Sequence, residues 1–114
     1  MTYNLLIGGY TSDGLRVLTF DPENEQEKLV AQESTINAGP DPSWIVQHPS
    51  NRSLIFITNE VEDGKVTVVK LTGLDTSGEI RGEQTVDVSS GGQYPAHLLV
   101  LKDSVVVSNV GDRD

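Results

Sequence analysis

Two side chains in this sequence, Glu60 and His97, have the chemistry expected of catalytic groups. Glu60 closes the segment that begins with the apolar run Leu54–Ile57, and a carboxylate there could activate water or hold a substrate hydroxyl. His97 lies between Ala96 and Leu98 and could act as a general acid or base near neutral pH, or bind an oxyanion. The alternatives are a solvated loop acid at position 60 and a hydrogen-bonded core histidine at position 97.

Other kinds of site find little support. His48, the second of the two histidines, precedes Pro49 and is predicted to shape a turn rather than to join the site. With no cysteine, the chain has neither a disulfide framework nor a thiolate metal site, and the acidic run Glu60–Asp63 lacks the ligand spacing of an EF-hand. The sequence contains no GxGxxG motif and no P-loop. We therefore predict no metal and no cofactor.

The segments that position these residues repeat along the chain. Ser53–Leu71 combines an apolar run, the turn sequence Glu62-Asp63-Gly64 and an alternating run, which predicts a β-hairpin. At an offset of about 50 residues, Ile7–Val17 falls on Ile57–Thr67 and Val107–Val110 falls on Ile57–Glu60. The first of these alignments places Asp13-Gly14 on Asp63-Gly64, which predicts a shared hairpin loop.

The repeat adds three candidate substrate-binding residues: Tyr10, Asn59 and Asn109. Tyr10 takes the place of Glu60 one repeat earlier, Asn59 adjoins Glu60, and Asn109 precedes the same place one repeat later. Each of them also has an ordinary interpretation as a turn or packing residue. Trp44 aligns with His97, but its size favours packing between repeats.

A repeat of about 50 residues with four short strands is typical of a β-propeller blade. No helical periodicity interrupts the pattern, so we predict an all-β chain of four-stranded antiparallel blades. Residues 1–114 then form a partial propeller domain of about two and a half blades, since a closed ring needs at least four. Blade 1 is expected at about 3–38, blade 2 at about 39–90, and the start of blade 3 at about 91–114. The expected inner strands are Ser43–Gln47 and Ala96–Leu101, and Leu29–Ile36 is expected as one outer strand of blade 1.

Several segments together resemble the lactonase family of seven-bladed propellers, which includes bacterial 6-phosphogluconolactonase and fungal carboxy-cis,cis-muconate cyclase. They are Ile7–Thr11, Thr19–Pro22, Asn37–Gly39 with Pro42–Trp44, His48-Pro49 followed by Ser53–Glu60, and Gly92 with Pro95–His97. Their order matches the N-terminal third of such a protein. Tyr94 departs from the pattern, because a small residue is expected before Pro95.

The resemblance implies a lactone hydrolase or lactonising enzyme, 6-phosphogluconolactonase-like, that acts on a small sugar-acid or muconate-type lactone. It offers Glu60 and His97 as catalytic residues, with arginines expected from other blades. The rival hypothesis from a different class is a non-catalytic propeller that binds a protein partner.

Charge and hydropathy narrow the expected partners. The net charge is -9 and the eight Lys and Arg residues are scattered, which argues against nucleic acid and anionic membranes as partners. No apolar run approaches the length of a membrane span, and no leader pattern follows Met1, so a soluble cytoplasmic protein is expected. Because incomplete blades expose strand edges, we expect the chain by itself to associate with other copies and to be inactive.

Overall fold

A computed structural model describes residues 1–10, 14–75 and 78–112 of the chain, and it contains three sheets of antiparallel strands. The first sheet, blade 1, holds β1 (Tyr3–Ile7), β2 (Gly14–Phe20), β3 (Leu29–Ala31) and β4 (Ile36–Asn37). Blade 2 holds β5 (Pro42–His48), β6 (Asn51–Asn59), β7 (Lys65–Thr72) and β8 (Arg81–Ser89), and blade 3 holds β9 (Pro95–Val100) and β10 (Val105–Asn109). The described residues contain no helix, so the prediction of an all-β partial propeller is confirmed. None of their segments could cross a membrane as a helix.

Blade 2 is a four-stranded meander in the order β5-β6-β7-β8, with β5 innermost. The predicted hairpin forms its centre, because Leu54 pairs with Lys70 and Asn59 pairs with Lys65. Its first strand begins at Asn51, three residues earlier than predicted from the apolar run. Only Pro49 and Ser50 remain as the turn, and the amide of Ser50 donates to His48 Nδ1 at 3.1 Å, in the turn-shaping role predicted for His48.

Blade 1 repeats this arrangement, with β1 in the place of β6 and β2 in the place of β7. Leu5 pairs with Leu18 as Ile55 pairs with Val69. In the part of the chain that the structure describes, β1 pairs only with β2, so its inner edge is open. The hairpin loop predicted at Asp13-Gly14 includes Asp13, which lies outside the described residues.

The prediction of one outer strand over Leu29–Ile36 is wrong, since this segment forms two short strands, β3 and β4. Gln32 lies in the gap between them. Its side-chain amide donates to the carbonyl of Ile80 at 2.8 Å and accepts from the amide of Ile80 at 2.9 Å. The backbone amide of Gln32 still donates to the carbonyl of Val17 on β2 at 2.9 Å, so the segment stays against its own sheet while the side chain of Gln32 bonds to blade 2.

The hydrophobic core lies between blades 1 and 2. Leu15 and Val17 of β2 face Ile55 and Ile57 of β6, and all four are fully buried or nearly so. The remaining core residues are Ile36, Ala38, Val69, Leu71 and Ile80.

Blade 1 and the first strand of blade 2 also meet backbone to backbone. The amide of Gly9 donates to the carbonyl of Pro42 at 3.0 Å, and a Cβ on Gly8 would clash with the same oxygen. The close backbone approach predicted from Gly8-Gly9 is therefore confirmed.

Candidate functional site

Glu60 is positioned by the repeat itself. It follows the last residue of β6, and its amide donates to the carbonyl of Asp41 at 3.1 Å, directly before the first residue of β5. The same bond recurs one repeat later, where the amide of Val110 donates to the carbonyl of Tyr94 at 2.9 Å. The backbone arrangement is thus conserved between the two repeats, but the side chain is a carboxylate in one and an isopropyl group in the other. The backbone hydrogen bond therefore does not depend on an acid at this position.

The carboxylate of Glu60 is almost completely buried, with 4% of the residue exposed. Tyr10, from the preceding blade, donates its hydroxyl to Glu60 Oε1 at 3.4 Å, although the residue as a whole is 61% exposed. The two residues predicted from the repeat therefore meet across the junction between blades 1 and 2. A carboxylate in a site with little water interacts more strongly with a nearby dipole or charge than it would in solvent.

Asn59 is buried, and its side-chain amide forms hydrogen bonds with other groups of the protein. Its side-chain nitrogen donates to the carbonyls of Ala38 at 2.8 Å and Pro40 at 2.9 Å, and its oxygen accepts from Thr67 Oγ1 at 2.6 Å. Gly39 passes directly over the amide with a φ of 77°, and a Cβ there would lie 2.9 Å from Asn59 Nδ2. In this structure Asn59 holds the crossing from blade 1 to blade 2 and is 1% exposed.

Asn109 has the same role one repeat later. Its nitrogen donates to the carbonyl of Ser90 at 3.0 Å, and its oxygen accepts from Ser90 Oγ at 2.7 Å. Gly92 lies as close to this amide as Gly39 does to Asn59. Unlike Asn59, Asn109 is exposed to solvent. It anchors the crossing from blade 2 to blade 3.

His97 lies on β9, one blade further around the ring, and is exposed. Its ring packs against Trp44 of β5, with ring centroids 4.5 Å apart and an angle of 46° between the planes. Trp44 therefore packs between blades, as its size suggested, and the imidazole of His97 packs on its ring. Beside Trp44, the hydroxyls of Ser43 and Thr58 lie 3.0 Å apart.

The candidate residues share one end of the blades. Tyr94, next to the start of β9, donates its amide to the carbonyl of Val61 at 2.9 Å, which joins blade 3 to the residue after Glu60. Glu60, Tyr10 and the start of the His97 strand therefore lie along the same rim. The structure brings together Tyr10 and Glu60 directly, and places His97 on the neighbouring inner strand.

Two residues that sequence reasoning missed, Asp41 and Tyr94, build this rim. Each precedes a proline at the start of an inner strand and has a positive φ, 45° for Asp41 and 53° for Tyr94. Such a conformation costs a non-glycine residue on the order of 1–3 kcal/mol. The shared Xaa-Pro step before each inner strand was the available signal. Tyr94, which seemed out of place in the sequence, has the same backbone role as Asp41.

The rim carries more acids than bases. Asp41, Glu62 and Asp63 lie near the ends of β5 and β6, and Lys65 begins β7 opposite Asn59. Gln93 donates to Glu62 Oε1 at 3.5 Å. Within the described residues, no group of three or more His, Asp or Glu side chains is arranged to hold a metal ion.

A groove of about 840 Å³ lies elsewhere, beside the open inner edge of β1. Its walls include β1 itself and Ile45, Gln47 and Ile55 of blade 2. Neither Glu60 nor His97 lines it. Because β1 corresponds to β6, the groove occupies the position that β5 takes in blade 2, and it reflects the open edge of blade 1 rather than the rim site.

Comparison with known proteins agrees with this architecture. The family model described as Lactonase, 7-bladed beta-propeller, matches residues 4–110. Searches of curated proteins and of solved structures gave no match. The match covers nearly the whole chain, including all ten strands except the first residue of β1. The chain therefore belongs to the lactonase family of seven-bladed β-propellers.

Proposed function

We propose that this chain supplies part of the active site of an enzyme that hydrolyses or forms a small sugar-acid or muconate-type lactone, in the manner of 6-phosphogluconolactonase. Glu60 is the proposed general base, and His97 is the proposed donor to the developing oxyanion. Tyr10 orients the Glu60 carboxylate. Family membership supports a small-molecule substrate and lactonase-like chemistry in general.

The observation that carries the proposal is the buried carboxylate of Glu60 at the rim. The equivalent position holds valine in the next repeat with an unchanged backbone hydrogen bond, so this backbone bond does not explain a carboxylate there. Burying a carboxylate costs free energy, and a tyrosine from another blade reaches it. A costly group that the repeat does not require indicates a functional role.

The proposed reaction uses these groups in two steps. Glu60 takes a proton from water as the water oxygen attacks the lactone carbonyl carbon, and His97 donates a hydrogen bond to the resulting oxyanion. The ring carbon–oxygen bond then breaks, and the proton held by Glu60 passes to the departing alkoxide. The product is the open hydroxy acid, and the reverse sequence closes the lactone.

The acidic rim bears on the choice of substrate. Asp41, Glu62 and Asp63 disfavour a phosphorylated or dicarboxylic lactone, so an anionic substrate needs basic side chains from further blades. Uncharged aldonolactones have no such requirement. Both kinds of lactone are therefore included in the test.

The test measures lactone hydrolysis by the longest translation product that contains this sequence, with gluconolactone, 6-phosphogluconolactone and 3-carboxymuconolactone as substrates. We expect Glu60→Gln to lower kcat by about 100-fold or more, because the amide cannot accept the proton from water. Tyr10→Phe should lower kcat by about fivefold through loss of one hydrogen bond to the carboxylate. The matched control is Glu62→Gln, an exposed acid two residues away, which should leave kcat for the uncharged gluconolactone unchanged.

The same measurement distinguishes the proposed enzyme from the rival, a non-catalytic propeller that binds a protein partner. If none of the three lactones is hydrolysed, catalysis is excluded for these substrates and a non-catalytic, protein-binding propeller is favoured. If Glu60→Gln and Glu62→Gln behave alike while the wild type is active, Glu60 is not the base.

A further inference from the structure

Trp44 and His97 follow equivalent β-bulges at the starts of the two inner strands. In β5, the two steps from Pro42 to Trp44 oppose a single step of β6. In β9, the two steps from Pro95 to His97 oppose a single step of β10. A bulge bends its strand and re-aims the side chain beside it. The repeat therefore sets the direction of both side chains in the same way.

The bulge in β5 is fixed within blade 2. The hydroxyl of Ser43, inside the bulge, lies 3.0 Å from that of Thr58 on β6, and Thr58 is fully buried. Trp44 follows Ser43 directly, so its backbone is anchored to the central hairpin of the blade. Trp44 is nevertheless 41% exposed and does not belong to the core between blades 1 and 2. Packing of that core therefore does not explain a tryptophan at this position.

The two histidines of the chain are held differently. The Nδ1 atom of His48 accepts from the amide of Ser50 at 3.1 Å, and its Nε2 atom lies 3.2 Å from the carbonyl oxygen of Lys102. The imidazole of His97 has no hydrogen-bond partner among the described residues, but it packs on the ring of Trp44. A histidine that acts through one nitrogen is ordinarily oriented by a hydrogen bond to the other. At His97 the indole takes the place of that hydrogen bond.

We propose that Trp44 is a positioning residue, whose ring holds the imidazole of His97 in the orientation from which it donates to the oxyanion. The inference rests on the function proposed for His97 above. Two aromatic rings in a tilted arrangement attract each other through their quadrupoles, so the indole restricts rotation of the imidazole about its Cβ–Cγ bond. Because the indole belongs to blade 2 and the imidazole to blade 3, the orientation also depends on the junction between these blades.

The proposal predicts a loss in kcat rather than a change in KM. A donor to the oxyanion acts in the transition state, so a misplaced donor lowers kcat and leaves binding of the lactone unchanged. Trp44→Leu removes the aromatic ring and should lower kcat by about tenfold, because a small displacement of a catalytic group is costly. Trp44→Phe keeps an aromatic face and should lower kcat by less than about threefold.

The kinetic test combines Trp44→Leu with His97→Ala in the longest translation product that contains this sequence, on whichever lactone the wild type hydrolyses. His97→Ala alone should lower kcat by about 100-fold, the effect of removing one oxyanion donor. The double variant should be no slower than His97→Ala, because the indole acts only through the imidazole. Tyr3→Leu is the matched control, since it removes another exposed ring, which packs on Phe20 of blade 1, and it should leave kcat unchanged.

A second measurement on the same protein does not depend on activity. Carbon-13 relaxation of the His97 imidazole, assigned by comparison with His97→Ala, reports how far the ring is restrained. The order parameter of the ring should be about 0.85 in the wild type and below about 0.6 in Trp44→Leu. Tyr3→Leu should leave it unchanged. Far-UV circular dichroism confirms that each variant is folded, and Trp44→Met replaces Trp44→Leu if that variant is not.

The results separate this inference from the proposed function. If no lactone is hydrolysed, the proposed function fails, while an imidazole that becomes mobile in Trp44→Leu still supports the positioning role. If the wild type is active and His97→Ala is equally fast, the role of His97 fails and the inference fails with it.

Where His97→Ala is slow, three kinetic results would overturn the inference alone. Trp44→Leu could retain the wild-type kcat. It could raise KM without lowering kcat, which would make Trp44 a substrate contact. The losses of the two single variants could multiply in the double variant, which would show that the residues act independently. An imidazole as restrained in Trp44→Leu as in the wild type would overturn the inference as well.

Discussion

At the scale of single residues, the neighbouring residues Asn59 and Glu60 at the end of β6 have different roles. Asn59 satisfies three groups of the protein, namely the carbonyls of Ala38 and Pro40 and the hydroxyl of Thr67. Glu60, the next residue, needs only its backbone amide to continue the repeat. Its side chain accepts a hydrogen bond from Tyr10 of the preceding blade, whereas the valine at position 110 makes the same backbone bond without an acid, which is why we assign the chemistry to Glu60 and the support of the crossing to Asn59.

The two asparagine anchors allow a matched test of this division. We expect Asn59→Ala to lower the free energy of unfolding by about 3 kcal/mol, because buried groups are left without partners. Asn109→Ala should cost only about 1 kcal/mol, because water replaces the lost hydrogen bonds at an exposed site. Urea unfolding followed by the fluorescence of Trp44 measures both. Equal losses would show that burial does not distinguish the two anchors.

At the scale of elements, the rim depends on how closely β1 approaches the start of β5. Gly8 lies against the carbonyl of Pro42 and Gly9 donates its amide to the same oxygen. Tyr10, which contacts Glu60, follows directly. The glycine pair thus sets the distance between blade 1 and the strand that carries Trp44.

Gly9 is the matched control for a substitution at Gly8. Gly8→Ala should lower the free energy of unfolding by about 3 kcal/mol, because its Cβ meets a backbone oxygen that a rotamer change cannot move. Gly9→Ala should change it by less than about 0.5 kcal/mol, since no atom outside its neighbours lies within 4 Å of the added carbon. Thermal and urea unfolding of the two variants test this contrast. A similar loss in both would show that the contact relaxes easily.

Sequence reasoning succeeded for elements whose signals are local. The hairpin of β6 and β7 was predictable because its apolar run, its turn and its alternating strand lie within twenty residues of one another. The break between β3 and β4 was not predictable, because the group that holds Gln32 is the backbone of Ile80, 48 residues away. The role of Asn59 was not predictable for the same reason, because two of its three partners, the carbonyls of Ala38 and Pro40, belong to the preceding crossing.

At the scale of the whole molecule, the described chain behaves as a stack of unequal blades. The continuous core belongs to blades 1 and 2 alone. Blade 3 contributes the buried side chains Leu98 and Val100, and β10 pairs only with β9 among the described residues. In repeat architectures the contacts between neighbours supply most of the stability, so the blades should differ in how readily they open.

Hydrogen exchange of the full chain, at a concentration low enough to keep it monomeric, tests this gradient. We expect the amides of β6 and β7 to exchange most slowly, because these strands are paired on both sides and pack on the core. Those of β9 and β10 should exchange faster, with an opening free energy lower by at least about 1 kcal/mol. The amide of Tyr94 should follow β9, since its hydrogen bond to Val61 breaks when blade 3 separates from blade 2. Uniform protection across all three sheets would mean that the chain unfolds as one unit, and that blade 3 is held as firmly as the core.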